Sequence, residues 1–164
     1  MVRMKTRFTL AALFAAMVVS APLSAQEPVT GVADPDALFH SKDKKLDINK
    51  QAAYHIMKDL LEANHWDEAD KWLTPEYLQH NPNVKSGRDP VVKYFSSVTK
   101  PTPVPEHITK AKVAFVTAEG DLVTVATVSE RKDPSKTYTT TWFDTWRFKG
   151  GKADEHWDCA TKGN

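Results

Sequence analysis

Two short stretches hold most of the side chains that could move a proton. The first, "YLQHN" at Tyr77–Asn81, sets His80 between two amides after a short apolar run. The second, "WFDTWRFKGGKADEHWD", alternates aromatics with carboxylates: Trp142, Asp144 and Trp146, then Asp154, His156 and Asp158. A carboxylate between tryptophans is partly desolvated, which makes proton exchange near neutral pH possible. Histidine both donates and accepts in that range. Asp144 or Asp158 could take a proton beside a carbonyl group, and His80 or His156 could donate to the oxygen that gains charge. Plainer roles are open to the same residues. Asp144 could answer Arg147 or a lysine, "EHWD" could be a charged edge strand, and His80 could close the Asn81-Pro82 turn at the surface.

Whether these groups meet depends on a hairpin. Lys149-Gly150-Gly151 reads as its turn. With Gly151 left-handed in a three-residue turn and bulge, Asp144 faces His156 and Trp142 faces Asp158. Trp142, Asp144, Trp146, Asp154, His156 and Asp158 then share one face. A strict two-residue turn would put Glu155 and Trp157 on that face instead.

The elements around the hairpin follow from periodicity. Asp47–Asn64 has a 3.6-residue apolar stripe through Ile48, Ala52, Ile56, Leu60 and Ala63, with Asp47 as its cap. Trp66–Leu73 predicts a second, short helix, and Pro75 starts a further turn that carries Tyr77 and Leu78 up to His80. "SGRDPVVKYFSSV" predicts a third helix that buries Val91, Val92, Tyr94, Phe95 and Val98. After Ile108 the period becomes two, over four segments rich in Val, Thr and aromatics. Three helices before an antiparallel meander predict an α+β domain with the helices on one sheet face. A pocket between the layers is a usual place for a small ligand. Tyr77, Tyr94, Trp142 and Trp146 are the aromatics expected to touch it.

Residues 1–25 read as a secretory signal. Arg3, Lys5 and Arg7 precede the apolar run Phe8–Val19 and the small-residue stretch "SAPLSAQE", with cleavage expected after Ala25. The run is too short for a permanent bilayer-spanning helix, so a periplasmic or secreted protein is expected, with no membrane attachment after cleavage. Residues 26–45 form an N-terminal arm with at most a short helical piece near Asp36–Ser41, and residues 46–164 form one domain. The signal removes three of the 22 basic residues and none of the 21 acidic ones. The remainder is slightly acidic and has no basic patch, which argues against a nucleic-acid partner. Cys159 is the lone cysteine, so no intramolecular disulfide is available.

Taken together, "YLQHNPNVKSGRDPVVKYF" and "FDTWRFKGGKADEHWD" resemble motifs of the SnoaL-like polyketide cyclases, a group within the nuclear transport factor 2-like superfamily. The resemblance covers roughly Ile48–Ala160. It implies a cone: a curved antiparallel sheet wrapped around helices, enclosing a deep pocket. It also implies acid/base chemistry of the aldol-condensation type without a cofactor, with His80, Asp144 and Asp158 as the proton-handling positions and His156 nearby. The chain departs from the group by its signal, by Gly150 where an aspartate is common, and by Ala153 in place of isoleucine.

Three function classes follow: a cofactor-free catalyst on a small apolar carbonyl compound, a non-catalytic binder of an apolar ligand in the cell envelope, and an interaction protein. A homodimer through the outer sheet face is expected. The strand Asp121–Lys132 is apolar on both sides, Val123, Val125 and Thr127 against Leu122, Thr124, Ala126 and Val128. His80, His156 and Asp158 are suitable metal ligands, but their spacing matches no metal motif, and no metal is expected.

Overall fold

The computed structural model describes residues 27–163; the expected signal segment lies outside them. The chain forms helix α1 (Lys44–His55), which continues as a wider π-type segment over Ile56–Glu62, then the short α2 (Ala69–Trp72) and α3 (Arg88–Val98). The strands are β1 (Leu73–Gln79), β2 (Val113–Glu119), β3 (Leu122–Lys132), β4 (Thr137–Lys149) and β5 (Lys152–Asp158). They make one curved sheet in the order β1-β5-β4-β3-β2. The fold is α+β, with helices packed against a sheet.

β1 is the main departure from the sequence expectation. Its residues were expected to finish the helical layer; instead they pair with β5 in parallel, as an edge strand. Pro75 is compatible with that position, because an edge strand leaves some N–H groups unpaired. The sheet thus has five strands, of which β2 to β5 are antiparallel neighbours.

The first helix begins earlier than its stripe suggests. Asp43, not Asp47, caps it: its carboxylate accepts from the Lys45 and Leu46 amides at 2.9 and 3.0 Å. Ile48 is exposed, and Ala52, Ala53, Ile56, Met57 and Leu60 face the sheet. They pack with Val113, Val123, Val125, Trp146 and Phe148 into the core. The arm is docked: Phe39 is fully buried, and the Val32 amide donates to the Val113 carbonyl at 2.8 Å. No helix among the described residues is long and apolar enough to cross a membrane.

Candidate functional site

The β4–β5 hairpin closes by two residues after all. Lys149 pairs with Lys152, and Gly150 and Gly151 both have positive φ, 59° and 80°, as a type I′ turn requires. That turn alone would turn His156 and Asp158 to the outer face. A β-bulge reverses the effect. Phe148 pairs with Ala153 but Arg147 pairs with Glu155, so Asp154 is the extra residue. Thr74 of β1 donates to its carboxylate at 2.7 Å. Beyond the bulge, Trp146 faces His156 and Asp144 faces Asp158. The expected pairs, Asp144 with His156 and Trp142 with Asp158, are therefore displaced by two residues, since Asp144 lies opposite Asp158. The expected sharing of a face by Asp144, Trp146, His156 and Asp158 holds.

This face closes one end of a cavity of about 280 Å³ between the sheet and the helices. Ile56, Leu60 and Leu61 from the π-type segment and Val91 and Phe95 from α3 line its apolar side. Trp142 and Trp146 flank the polar end, where Asp144, His156 and Asp158 meet Gln79 and Asn81. His156 is 6% exposed and stacks on Trp146 at a ring separation of 5.1 Å. Its Nε2 is 3.2 Å from Asp144 Oδ1 and its Nδ1 is 2.8 Å from Gln79 Oε1. Asp158 accepts from Asn81 Nδ2 at 2.7 Å and from the Ala160 amide at 2.9 Å. Trp146 Nε1 donates to the Tyr77 hydroxyl at 3.2 Å. Burial holds the Tyr77 phenol far above its ordinary pKa; the Trp146 bond opposes this, and the charges of Asp144 and Asp158 add to it. Tyr77 therefore stays protonated in the cavity wall.

Two expected site residues lie elsewhere. His80 was expected at the pocket mouth, but it is not in the cavity lining. Side chains alternate along a strand, so with Tyr77 and Gln79 turned inward, Leu78 and His80 turn outward. There His80 stacks on Trp157 with ring centroids 5.1 Å apart, and its Nε2 lies 2.8 Å from Glu155 Oε1. The hydrogen bond from His80 is the largest cause holding the Glu155 carboxyl below its ordinary pKa; the little burial it has opposes, and Arg147 adds to the lowering. Tyr94 was expected to touch the ligand. Val91, Val92 and Phe95 centre the buried face of α3, and Tyr94 lies roughly 100° around the helix from that centre. It is 40% exposed, in a shallow surface groove with Lys85 and Lys93.

Sequence reasoning missed Gln79 and Asn81 as cavity residues. Reading Tyr77–Asn81 as a strand would have pointed to Gln79, two residues on from Tyr77. Each residue of Gln79–Asn81 braces one residue of β5: Gln79 holds His156, His80 holds Glu155, and Asn81 holds Asp158.

The metal idea loses His80 by the same geometry. Among the described residues, one atom each from Asp144, His156 and Asp158 lie within 4.8 Å of one another. Both His156 ring nitrogens are engaged by neighbouring side chains, Nδ1 by Gln79 and Nε2 by Asp144.

A family profile described as a SnoaL-like domain matches residues 55–156, more than half of the chain. The chain belongs to the SnoaL-like domain family. Its fold is similar to that of a candidate polyketide cyclase from Acidithiobacillus ferrooxidans, with a TM-score of 0.51 at 15% identity over 72% of this chain and 89% of that one. A second candidate polyketide cyclase, from Bacillus cereus, aligns with a TM-score of 0.49 at 18% identity over 80% of this chain and 84% of that one. An LEH-like epoxide hydrolase from M. tuberculosis aligns with a TM-score of 0.48 at 12% identity, over 66% of this chain and 78% of that one. At 15% identity the likeness to the Acidithiobacillus protein concerns the fold alone. No curated protein matches the chain.

Proposed function

We propose that this SnoaL-like domain is an exported acid/base catalyst that acts on a small, largely apolar carbonyl compound. One observation carries the reading: His156, Asp144 and Asp158 converge at one end of a cavity whose other walls are apolar. Apolar walls hold the body of a ligand and keep water from its reactive end. A carboxylate there takes a proton alpha to the carbonyl. The buried His156, backed by Asp144, supplies a proton to the oxygen, which serves an aldol-type closure or an isomerisation equally well. The chemistry asks for no cofactor. Similarity in fold to proteins described as polyketide cyclases fits this reaction class without naming a substrate.

The test needs no known substrate. Cyclohexanone, 1-indanone and ethyl acetoacetate are incubated with the protein in D₂O, and deuterium at the alpha carbon is followed by mass spectrometry. Exchange faster than the buffer rate, lost in Asp144→Asn, is expected. Exchange at the buffer rate for all three compounds counts against catalysis. The second reading is then ligand binding without turnover, favoured by the predominantly apolar lining. The proposal also includes a periplasmic or secreted location and a homodimer through the outer sheet face. Support for the dimer comes from Phe115 and Phe143, 46% and 38% exposed on β2 and β4, with ring centroids 6.2 Å apart.

A further inference from the structure

Gln79 reveals where the hydrogens of the site lie. Its Oε1 is 3.0 Å from the backbone nitrogen of Asn81 and 2.8 Å from His156 Nδ1. A backbone N–H only donates, so the Gln79 atom that faces it is the carbonyl oxygen and not the amide nitrogen. That oxygen has a second lone pair, and His156 Nδ1 can meet it only by carrying a hydrogen. The other ring nitrogen, Nε2, faces Asp144 Oδ1 at 3.2 Å. With neither atom protonated, two lone pairs would confront each other in a place where the histidine is 6% exposed. Leaving buried polar groups in that state is costly. One more hydrogen therefore lies between Nε2 and Oδ1, on one atom or the other.

We propose that Gln79 is a positioning residue. By keeping a hydrogen on His156 Nδ1, it obliges His156 Nε2 and Asp144 to share one proton, and this shared proton is what the cavity presents to an acceptor oxygen of its ligand. Without the Gln79 oxygen, the single hydrogen of a neutral imidazole moves to Nε2 and points at an ionised Asp144. The pair then holds one proton fewer and has none to spare. Asp158 differs, since it accepts from two neutral donors, the Asn81 side chain and the Ala160 amide. It keeps no proton for this purpose and suits the accepting role. Asn81 thus serves both halves of the site: its backbone N–H orients Gln79 and its side chain holds Asp158.

The role of the shared proton rests on the acid/base reading of the cavity, but the hydrogen arrangement belongs to the ligand-free protein and is measured there. Full-length protein labelled with ¹⁵N gives long-range ¹H–¹⁵N spectra of its imidazole rings, with His156 identified by its loss in His156→Asn. In the wild type, Nδ1 of His156 is expected as a protonated, pyrrole-type nitrogen. Gln79→Glu keeps an oxygen acceptor and should preserve that signature. Gln79→Leu should convert Nδ1 to an unprotonated, pyridine-type nitrogen; Gln79→Met, also without an acceptor, replaces it if the leucine variant does not fold. A pyridine-type Nδ1 in the wild type overturns the proposal, and so does a wild-type spectrum in the leucine or methionine variant. The ketone exchange assay separates the two claims. A protonated Nδ1 that depends on Gln79, with no exchange, sinks the catalytic reading and leaves Gln79 as the clamp. Exchange that survives Gln79→Leu sinks the role given to the shared proton.

Discussion

Asp144 and His80 make a contrast in which one residue faces the cavity and the other does not. Asp144 has a side chain 13% exposed and sits beside His156. Asp144→Asn keeps the shape and removes the carboxylate, so a catalysed exchange should fall by about a hundredfold to ten-thousandfold, with an unchanged circular dichroism spectrum. His80, with 48% of its side chain exposed, pairs with Glu155 on the outer face. His80→Ala should leave exchange within twofold of wild type and lower stability by about 0–1 kcal/mol, as loss of an exposed polar contact does. A tenfold loss of exchange in His80→Ala would return that residue to the cavity mouth. Both substitutions behaving alike would sink the assignment of faces.

The β4–β5 hairpin is the element that makes the site possible, and its two glycines are not equivalent. Gly150 has φ 59° with open space where a Cβ would go. Gly151 has φ 80° and would bring a Cβ to 3.2 Å from Ile48 Cγ2. Asparagine tolerates the left-handed region and is favoured at the first position of this turn. Gly150→Asn should therefore shift stability by no more than about 0.5 kcal/mol. Gly151→Ala should destabilise by about 1–2 kcal/mol through the left-handed penalty, with the Ile48 contact adding to it. Denaturant melts of the two variants decide this, and equal midpoints would contradict the turn geometry.

At the scale of the whole molecule, the arm, the assembly and the location each have a measurable consequence. Asp36 ties the arm to the domain: it accepts from Tyr54 at 3.0 Å, from His107 at 2.8 Å and from the Ile108 amide at 3.2 Å. Partial burial pushes the Asp36 carboxyl up, but the bonds from His107, Ile108 and Tyr54 outweigh it and hold it below 3.8. His107 is raised above 6.5, chiefly by its bond to Asp36. The stabilisation that His107 gives is fully present below pH 6.5 and is lost as pH rises through the raised value. The stabilisation that Asp36 gives is present above pH 3.8 and is lost as pH falls through the lowered value. Amide exchange of Val32 should therefore be slowest relative to the core between those limits, and His107→Ala should abolish its sensitivity on the alkaline side. The proposed homodimer predicts twice the monomer mass by light scattering at micromolar concentration. Phe115→Glu should reduce it to the monomer, because a charge replaces one of the two exposed aromatic rings that meet on that face. A wild-type monomer would defeat that proposal. Export predicts an N-terminus at Gln26 on protein from the envelope fraction; intact Met1 on cytoplasmic protein would count against it.

The division between what was legible in the chain and what was not runs along range. The α+β class, the helix over the middle of α1 and the strands after Ile108 follow from local periodicity, turn residues and motif resemblance. Those depend on neighbours a few residues away. The shared face of Asp144, His156 and Asp158, by contrast, was expected from a three-residue turn that the hairpin does not make. β1 did not follow, since "LTPEYLQ" has little strand character of its own and becomes a strand by pairing with β5, 77 to 80 residues later. That pairing decides that Tyr77 and Gln79 face the cavity while His80 faces outward. The bulge at Asp154 is likewise supported from a distance, by Thr74, and it restores the face that the two-residue turn would have reversed. Residue types therefore sufficed to suggest the chemistry proposed for the cavity. Only tertiary pairing, which sets the parity of each strand, decided that the histidine beside the carboxylates is His156, that Gln79 holds it, and that His80 holds Glu155 on the other side of the sheet.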